Sequence, residues 1–94
     1  MNFSVETTDN FKKEAKFLIK KYPSLISELE ELGKILSENP KTGIHLGNNV
    51  YKIKMAIKSK GKGKSGGARV MTQVKIVNEK IYLFSIYDKS EKKI

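Results

Sequence analysis

The spacing of apolar residues changes once along this chain, from a helical repeat to alternation, and that change limits the fold more than any other feature. Before Asn39-Pro40, Phe11, Ala15, Leu18, Ile19 and Tyr22 follow one another at i, i+4, i+7, i+8 and i+11. Leu25, Leu29, Leu32 and Leu36 form a second stripe with Ile26 and Ile35 at its margins. Each set falls on one face of a helix. Beyond Asn49, Tyr51, Ile53, Met55 and Ile57 alternate with Lys52, Lys54 and Ala56, and Val70, Val74 and Ile76 oppose Arg69, Gln73 and Lys75. Period two of this kind marks strands with one face on a core.

Local signals set the boundaries. Thr7, Thr8 and Asp9 offer N-cap oxygens to a helix over 9–21, Pro23 stops it, Ser24 can cap the second helix, and Asn39-Pro40 ends that one. With almost no loop between them, the helices should lie antiparallel as a hairpin, stripes facing one sheet. Residues 3–6 suit a short first strand. Residues 41–49, rich in Gly, Asn and Thr, read as a surface connection; His45 lies there with no carboxylate neighbour to orient it, and is given no catalytic role. Strands are predicted over 50–57, 68–77 and 81–87, with a turn at 78–80, and IYLFSIY is apolar enough on both faces to be central or well covered. The closing DKSEKKI reads as a charged, frayed tail. The expected fold is a single α+β domain over 1–94: an N-terminal strand, the two-helix hairpin, then three antiparallel strands in one sheet with the helices on one face.

The chain has no cysteine and one histidine among 94 residues, which excludes disulfides and thiolate sites and leaves little to hold zinc. No metal and no small-molecule cofactor are expected. No apolar run approaches the roughly 20 residues that span a bilayer, and the first residues lack a signal-peptide layout, so the expected setting is the cytoplasm, away from membranes.

The charge is unevenly placed. Between Glu38 and Glu79 there are nine basic residues and no acidic one, so this stretch carries the whole formal charge of +9. Its centre, 58–67, combines Lys58, Lys60, Lys62 and Lys64 with Gly61, Gly63, Gly66 and Gly67, a flexible cationic link between two strands. A phosphate-binding loop fits poorly, because Gly63-Lys64-Ser65 matches only the end of G-x-x-x-x-G-K-[ST] and a Gly-Gly step, not a helix, follows. A merely solubilising hairpin loop is the plainer reading. The charge, however, continues into both strands. Pairing Ile57 with Ala68 sets Ala56 opposite Arg69, Lys54 opposite Met71 and Lys52 opposite Gln73, with Lys52, Lys54, Arg69 and Lys75 on one face. Like charges so close destabilise a sheet unless a ligand supplies anions, and a nucleic acid does so. Lys58, Lys60, Lys62, Lys64 and Lys75 are the expected nucleic-acid-binding residues. Aromatic platforms for bases are few, and Tyr51 points to the core.

The element order, together with YKIKMAIKSKGKGKSGGARVMTQV and the closing LFSIYDKSE, resembles the RelE/ParE superfamily of bacterial type II toxin-antitoxin toxins. The Y-K-I-K strand followed by G-x-R opening the next is the most telling part. The long Lys-Gly loop is similar to a subgroup labelled RelE-like translational repressors. The resemblance implies a small α/β toxin that cuts messenger RNA in the ribosomal A site and is neutralised by a cognate antitoxin protein wrapped around it. By position, the family's paired lysines match Lys52 and Lys54, its arginine matches Arg69, and a basic residue after the last strand matches Lys89. The family often carries a tyrosine in a C-terminal helix; nothing before Ile94 matches it, and Tyr87 is the nearest candidate.

The implied reaction is attack of an RNA 2′-hydroxyl on the adjacent phosphorus. Without a His or Glu pair, Lys52 or Lys54 would take the proton while the other stabilises charge, and neighbouring cations favour a neutral amine. Arg69 would brace the phosphate, and Tyr87 or Lys89 would protonate the leaving oxygen. Two alternatives stand beside this reading: a ParE-like inhibitor of DNA gyrase, and a catalytically inactive relative that binds an antitoxin.

Overall fold

The computed structural model describes residues 2–61 and 63–91; Lys62, one of the expected nucleic-acid-binding lysines, and residues 92–94 of the expected tail lie outside them. Helix α1 spans Asp9–Lys21 as its periodicity predicts. Thr8 caps it, with extended backbone and a side-chain oxygen that accepts the Phe11 N–H at 3.1 Å. Asp9 in the first turn and Lys20 and Lys21 in the last complement the helix dipole. Helix α2 covers Leu25–Glu38 and buries Leu25, Leu32 and Leu36. Ser24 does not cap it in the expected way: its backbone is already helical and its hydroxyl oxygen accepts instead the Ser59 N–H at 2.9 Å. No helix among the described residues is long and apolar enough to cross a membrane.

The sheet has five strands: β1 (Ser4–Thr7), β2 (Ile44–Gly47), β3 (Val50–Met55), β4 (Ala68–Lys75) and β5 (Lys80–Asp88), in the order β1-β5-β4-β3-β2. Only β1 runs parallel to its neighbour; the other pairings are antiparallel. The sheet is therefore α+β as expected but mixed, with one strand more than the periodicity shows. Strand β2 replaces the predicted surface connection at 41–49. Four residues of IHLG carry too little alternation to announce a strand, and what forms it is the turn. Asn48 and Asn49, with φ of 52° and 61°, occupy the left-handed region that a two-residue hairpin requires and asparagine tolerates. His45 thus lies on an edge strand, its ring stacked on Tyr51 at 4.9 Å between centroids.

Helices α1 and α2 cover one face of the sheet, where Leu25, Leu36, Ile57, Val70, Val74, Ile81 and Ile86 are essentially inaccessible. The alternation of β3 holds, so Tyr51, Ile53 and Met55 join this core. Asp88, read from sequence as the first residue of a frayed tail, is instead the last residue of β5 and is buried at 1% exposure.

Candidate nucleic-acid interface

On the face of the sheet away from the helices, Lys54 pairs directly with Arg69 and Arg69 with Tyr87, forming a row across β3, β4 and β5. This register differs from the expected one, in which Ala56 faced Arg69. The last pair is Met55 with Ala68 rather than Ile57 with Ala68, so the link between paired residues is longer by two residues, both on the β3 side; there Gly67 packs directly on the β3 backbone, where a Cβ would lie 2.0 Å from the Met55 carbonyl oxygen. Since the displacement is two residues, the paired side chains of β3 and β4 keep their predicted faces; Ile76, expected on the core side of a strand reaching Val77, instead lies beyond the end of β4 and is exposed. Lys52, opposite Met71, falls in the next row, which Ser85 continues on β5. Lys54 is exposed, Lys52 and Tyr87 are half-buried, and among the described residues neither lysine is paired with a carboxylate. Lys89 is exposed just beyond β5, its backbone N–H bonded to the Gly67 carbonyl at 2.8 Å. Lys75 is exposed at the opposite end of β4, about 20 Å from Arg69 at the usual rise of a strand, and is not part of this cluster.

Arg69 is only 4% exposed. Its guanidinium donates to the carbonyl oxygens of Lys64 at 3.0 Å, Ala68 at 3.2 Å and Ser65 at 3.4 Å. Lys64 and Ser65 belong to a short 3-10 turn, Lys64–Gly66, which the arginine holds down over the end of the row. Backbone carbonyls are neutral acceptors, so an anion that reached this guanidinium would bind it more strongly than they do.

The Lys-Gly link is not uniformly flexible. Its first part forms another 3-10 turn, Lys58–Lys60, fastened to the start of α2. Ser24 and Ser59 exchange hydrogen bonds of 2.9 and 3.0 Å, and the Lys58 N–H donates to the Glu28 carboxylate at 2.6 Å. Lys60 turns inward and pairs with Asp88, leaving its side chain 10% exposed and the carboxylate fully covered. Tyr22 donates its hydroxyl to the same carboxylate at 3.0 Å, and Ser90 donates both its backbone N–H, at 3.0 Å, and its hydroxyl, at 2.8 Å. Burial alone would push the Asp88 carboxyl up; the Lys60 ammonium and the Ser90 and Tyr22 donors outweigh it and hold the group well below the usual carboxylate range. Lys60 is therefore committed inside the protein rather than offered to a ligand, while Lys58 and Lys64 are exposed.

Sequence reasoning did not foresee Asp88, Tyr22, Ser24, Ser59 or Glu28 as partners of the basic link. Their one available signal was position: Asp88 directly continues the apolar run IYLFSIY. Among the described residues no three His, Asp or Glu side chains stand close enough to hold a metal ion.

No family model matches this sequence, and no curated protein does. Solved structures do match. A double arginine-to-alanine mutant of the E. coli toxin RelE in the free state superposes with a TM-score of 0.68 at 19% identity, over 97% of this chain and 86% of that one. The isolated E. coli RelE toxin gives 0.68 at 18% identity, over 97% and 88%. A metal-bound toxin from Helicobacter pylori gives 0.57 at 18%, over 97% and 99%. The chain has the RelE-like fold along almost its whole length.

Proposed function

We propose that a protein with this RelE-like fold and this basic row is the toxin of a type II toxin-antitoxin pair, acting as an endoribonuclease on messenger RNA held by the ribosome, with a cognate antitoxin as its protein partner. The observation that carries the reading is the row Lys54–Arg69–Tyr87 in direct register on the open face. Adjacent strands lie about 4.8 Å apart, so Lys54 and Tyr87 flank Arg69 with backbones about 10 Å from one another. A phosphodiester centred on Arg69 then has a proton acceptor on one side and a donor on the other, as in-line displacement requires.

In this mechanism the Lys54 amine removes the 2′-hydroxyl proton, the 2′-oxygen bonds to phosphorus, and the bond from phosphorus to the 5′-oxygen breaks. Tyr87 gives its hydroxyl proton to that leaving oxygen, with Lys89 the alternative donor. Arg69 releases the Lys64 and Ser65 carbonyls and takes the non-bridging phosphate oxygens, where negative charge grows. Lys52, one row away, adds positive charge, and the exposed Lys58 and Lys64 hold flanking phosphates, with Lys62 and the distant Lys75 contributing to longer-range attraction. No step needs a metal. A site whose arginine must first be freed gains from a second body that presents the RNA in place, which supports dependence on the ribosome.

Expression without antitoxin should arrest translation and leave cuts in translated messages that primer extension maps. Lys54→Ala, at an exposed position, should lower cleavage at least about 100-fold, the usual contribution of a positioned base. Intact messages in arrested cells overturn the reading. The closed state of Arg69 favours a non-cutting antitoxin-binding protein as the second reading, and such a protein would be harmless in this assay; a ParE-like activity would appear as inhibited DNA supercoiling by gyrase with messages intact.

A further inference from the structure

Strand β5 changes face halfway along, and the change determines where Tyr87 points. Ile81 and Leu83 face the helices, opposite Val74 and Thr72. Unbroken alternation would send Ser85 and Tyr87 inward and Ile86 and Asp88 outward. The reverse is found: Ile86 and Asp88 are buried at 1% exposure, and Tyr87 stands beside Arg69 on the open face. The cause is one extra residue in β5. Met71 pairs with Ser85 and Thr72 with Leu83, so Phe84 has no partner and forms a bulge.

The bulge lies where β5 loses its neighbour on one side. Strand β1 ends at Thr7, opposite Leu83, and the chain turns into α1. From there α1 supplies polar groups in place of a strand. The Thr8 N–H donates to the Leu83 carbonyl at 3.1 Å and the Asn10 amide to the Phe84 carbonyl at 3.0 Å. One oxygen of Glu14 accepts the Ile86 N–H at 3.1 Å, the Ser85 hydroxyl at 3.0 Å and the Asn10 amide at 3.1 Å. It thus bonds both residues that follow the extra one, at the point where the alternation restarts in its new phase.

We propose that Glu14 is a positioning residue: by holding the Phe84–Ser85 bulge it turns Tyr87 toward Arg69 and Asp88 toward Lys60. The part played by Tyr87 in cleavage rests on the function proposed above, whereas its orientation does not, so two readouts separate them. In a mutant cycle, Tyr87→Phe and Glu14→Ala should each lower cleavage, the second by about 10- to 100-fold, the size expected when a reacting group is displaced by about 1 Å. Glu14→Ala should have less than about a 3-fold effect once Tyr87 is Phe, because two residues acting through one hydroxyl do not add. Glu14→Gln, whose amide oxygen accepts the same bonds, should retain cleavage. Fully multiplicative losses overturn the proposal.

By NMR, with no reaction involved, Glu14→Ala should abolish the contacts between the Tyr87 ring and the Arg69 side chain. It should also speed exchange of the Ile86 amide at least about 10-fold while leaving Val74 unchanged. An unmoved Tyr87 ring overturns the proposal whether or not the protein cuts RNA; a displaced ring in a protein that never cuts leaves the positioning intact and removes only the assigned chemistry. Should Glu14→Ala not fold, Glu14→Asp, which keeps the charge and withdraws the carboxylate by one methylene, reads the same contrast.

Discussion

Lys54 and Lys60 stand six residues apart in the same acid-free stretch, yet one is exposed beside Arg69 and the other is sealed against Asp88. The difference comes from what the fold brings opposite each. Lys54 meets another cation on the open face of the sheet, where its charge keeps its hydration. Lys60 meets a carboxylate that reaches the interior through the end of β5, together with Tyr22, whose ring centroid lies 5.7 Å from the ammonium. A buried charge is tolerated only when paired and hydrogen-bonded, and Asp88 and Lys60 satisfy that condition for each other. Density of charge in a sequence therefore locates a surface without saying which members of the cluster belong to it.

The contrast breaks most sharply at the buried pair. Lys60→Ala leaves the Asp88 carboxylate uncompensated and should destabilise the fold by about 3–5 kcal/mol in urea unfolding, whereas replacing both partners with methionine should restore much of the loss. An exposed lysine behaves otherwise: Lys54→Ala should change stability by no more than about 0.5 kcal/mol. Equal losses at the two positions would erase the distinction between them.

Acid sharpens the same comparison. The folded Asp88 carboxyl is held below its unfolded value of about 3.9, so its contribution is complete above that pH and is lost as pH falls toward the folded value. Unfolding free energy should be insensitive to this group from neutral pH to about pH 4 and decline below it. Lys60→Ala, which removes the leading favourable partner, should flatten that decline in urea titrations across the acid range.

The smallest effects are expected in the exposed part of the link. Lys58→Gln and Lys64→Gln should each weaken binding to single-stranded RNA in a graded way and reduce the salt slope by about 0.7. Lys60→Gln should leave the slope unchanged if measured on folded protein. A slope change at Lys60 equal to that at Lys58 would place its ammonium outside after all.

Much of the architecture was legible because helices and strands repeat over many residues. The stripes from Phe11 to Tyr22 and from Leu25 to Leu36, and the alternation from Tyr51 to Met55, are local patterns that one burial rule explains. Strand β2 was not, since its four residues depend on the Asn48-Asn49 turn and on β3 to pair with. The membership of Lys54 and Arg69 on one face was also legible; their direct opposition was not, because the hairpin closes by backbone contact at Gly67, which no periodicity records. The bulge at Phe84 shows the limit most plainly. IYLFSIYD contains two alternating segments in opposite phase, and nothing within it says where the phase changes.

What the sequence by itself determined is the inventory and its coarse layout: two amphipathic helices, a sheet behind them, and a cationic third with no acid to neutralise it. Only the tertiary structure decided which cations remain available. Arg69 is engaged by the carbonyls of its own link, Lys60 by Asp88, and Tyr87 takes its place in the row through a bulge held from α1. Those outcomes depend on contacts between residues far apart in the chain, 72 positions in the case of Glu14 and Ile86. Local preference acts over a few residues, whereas pairing and desolvation act on whatever the folded chain brings together.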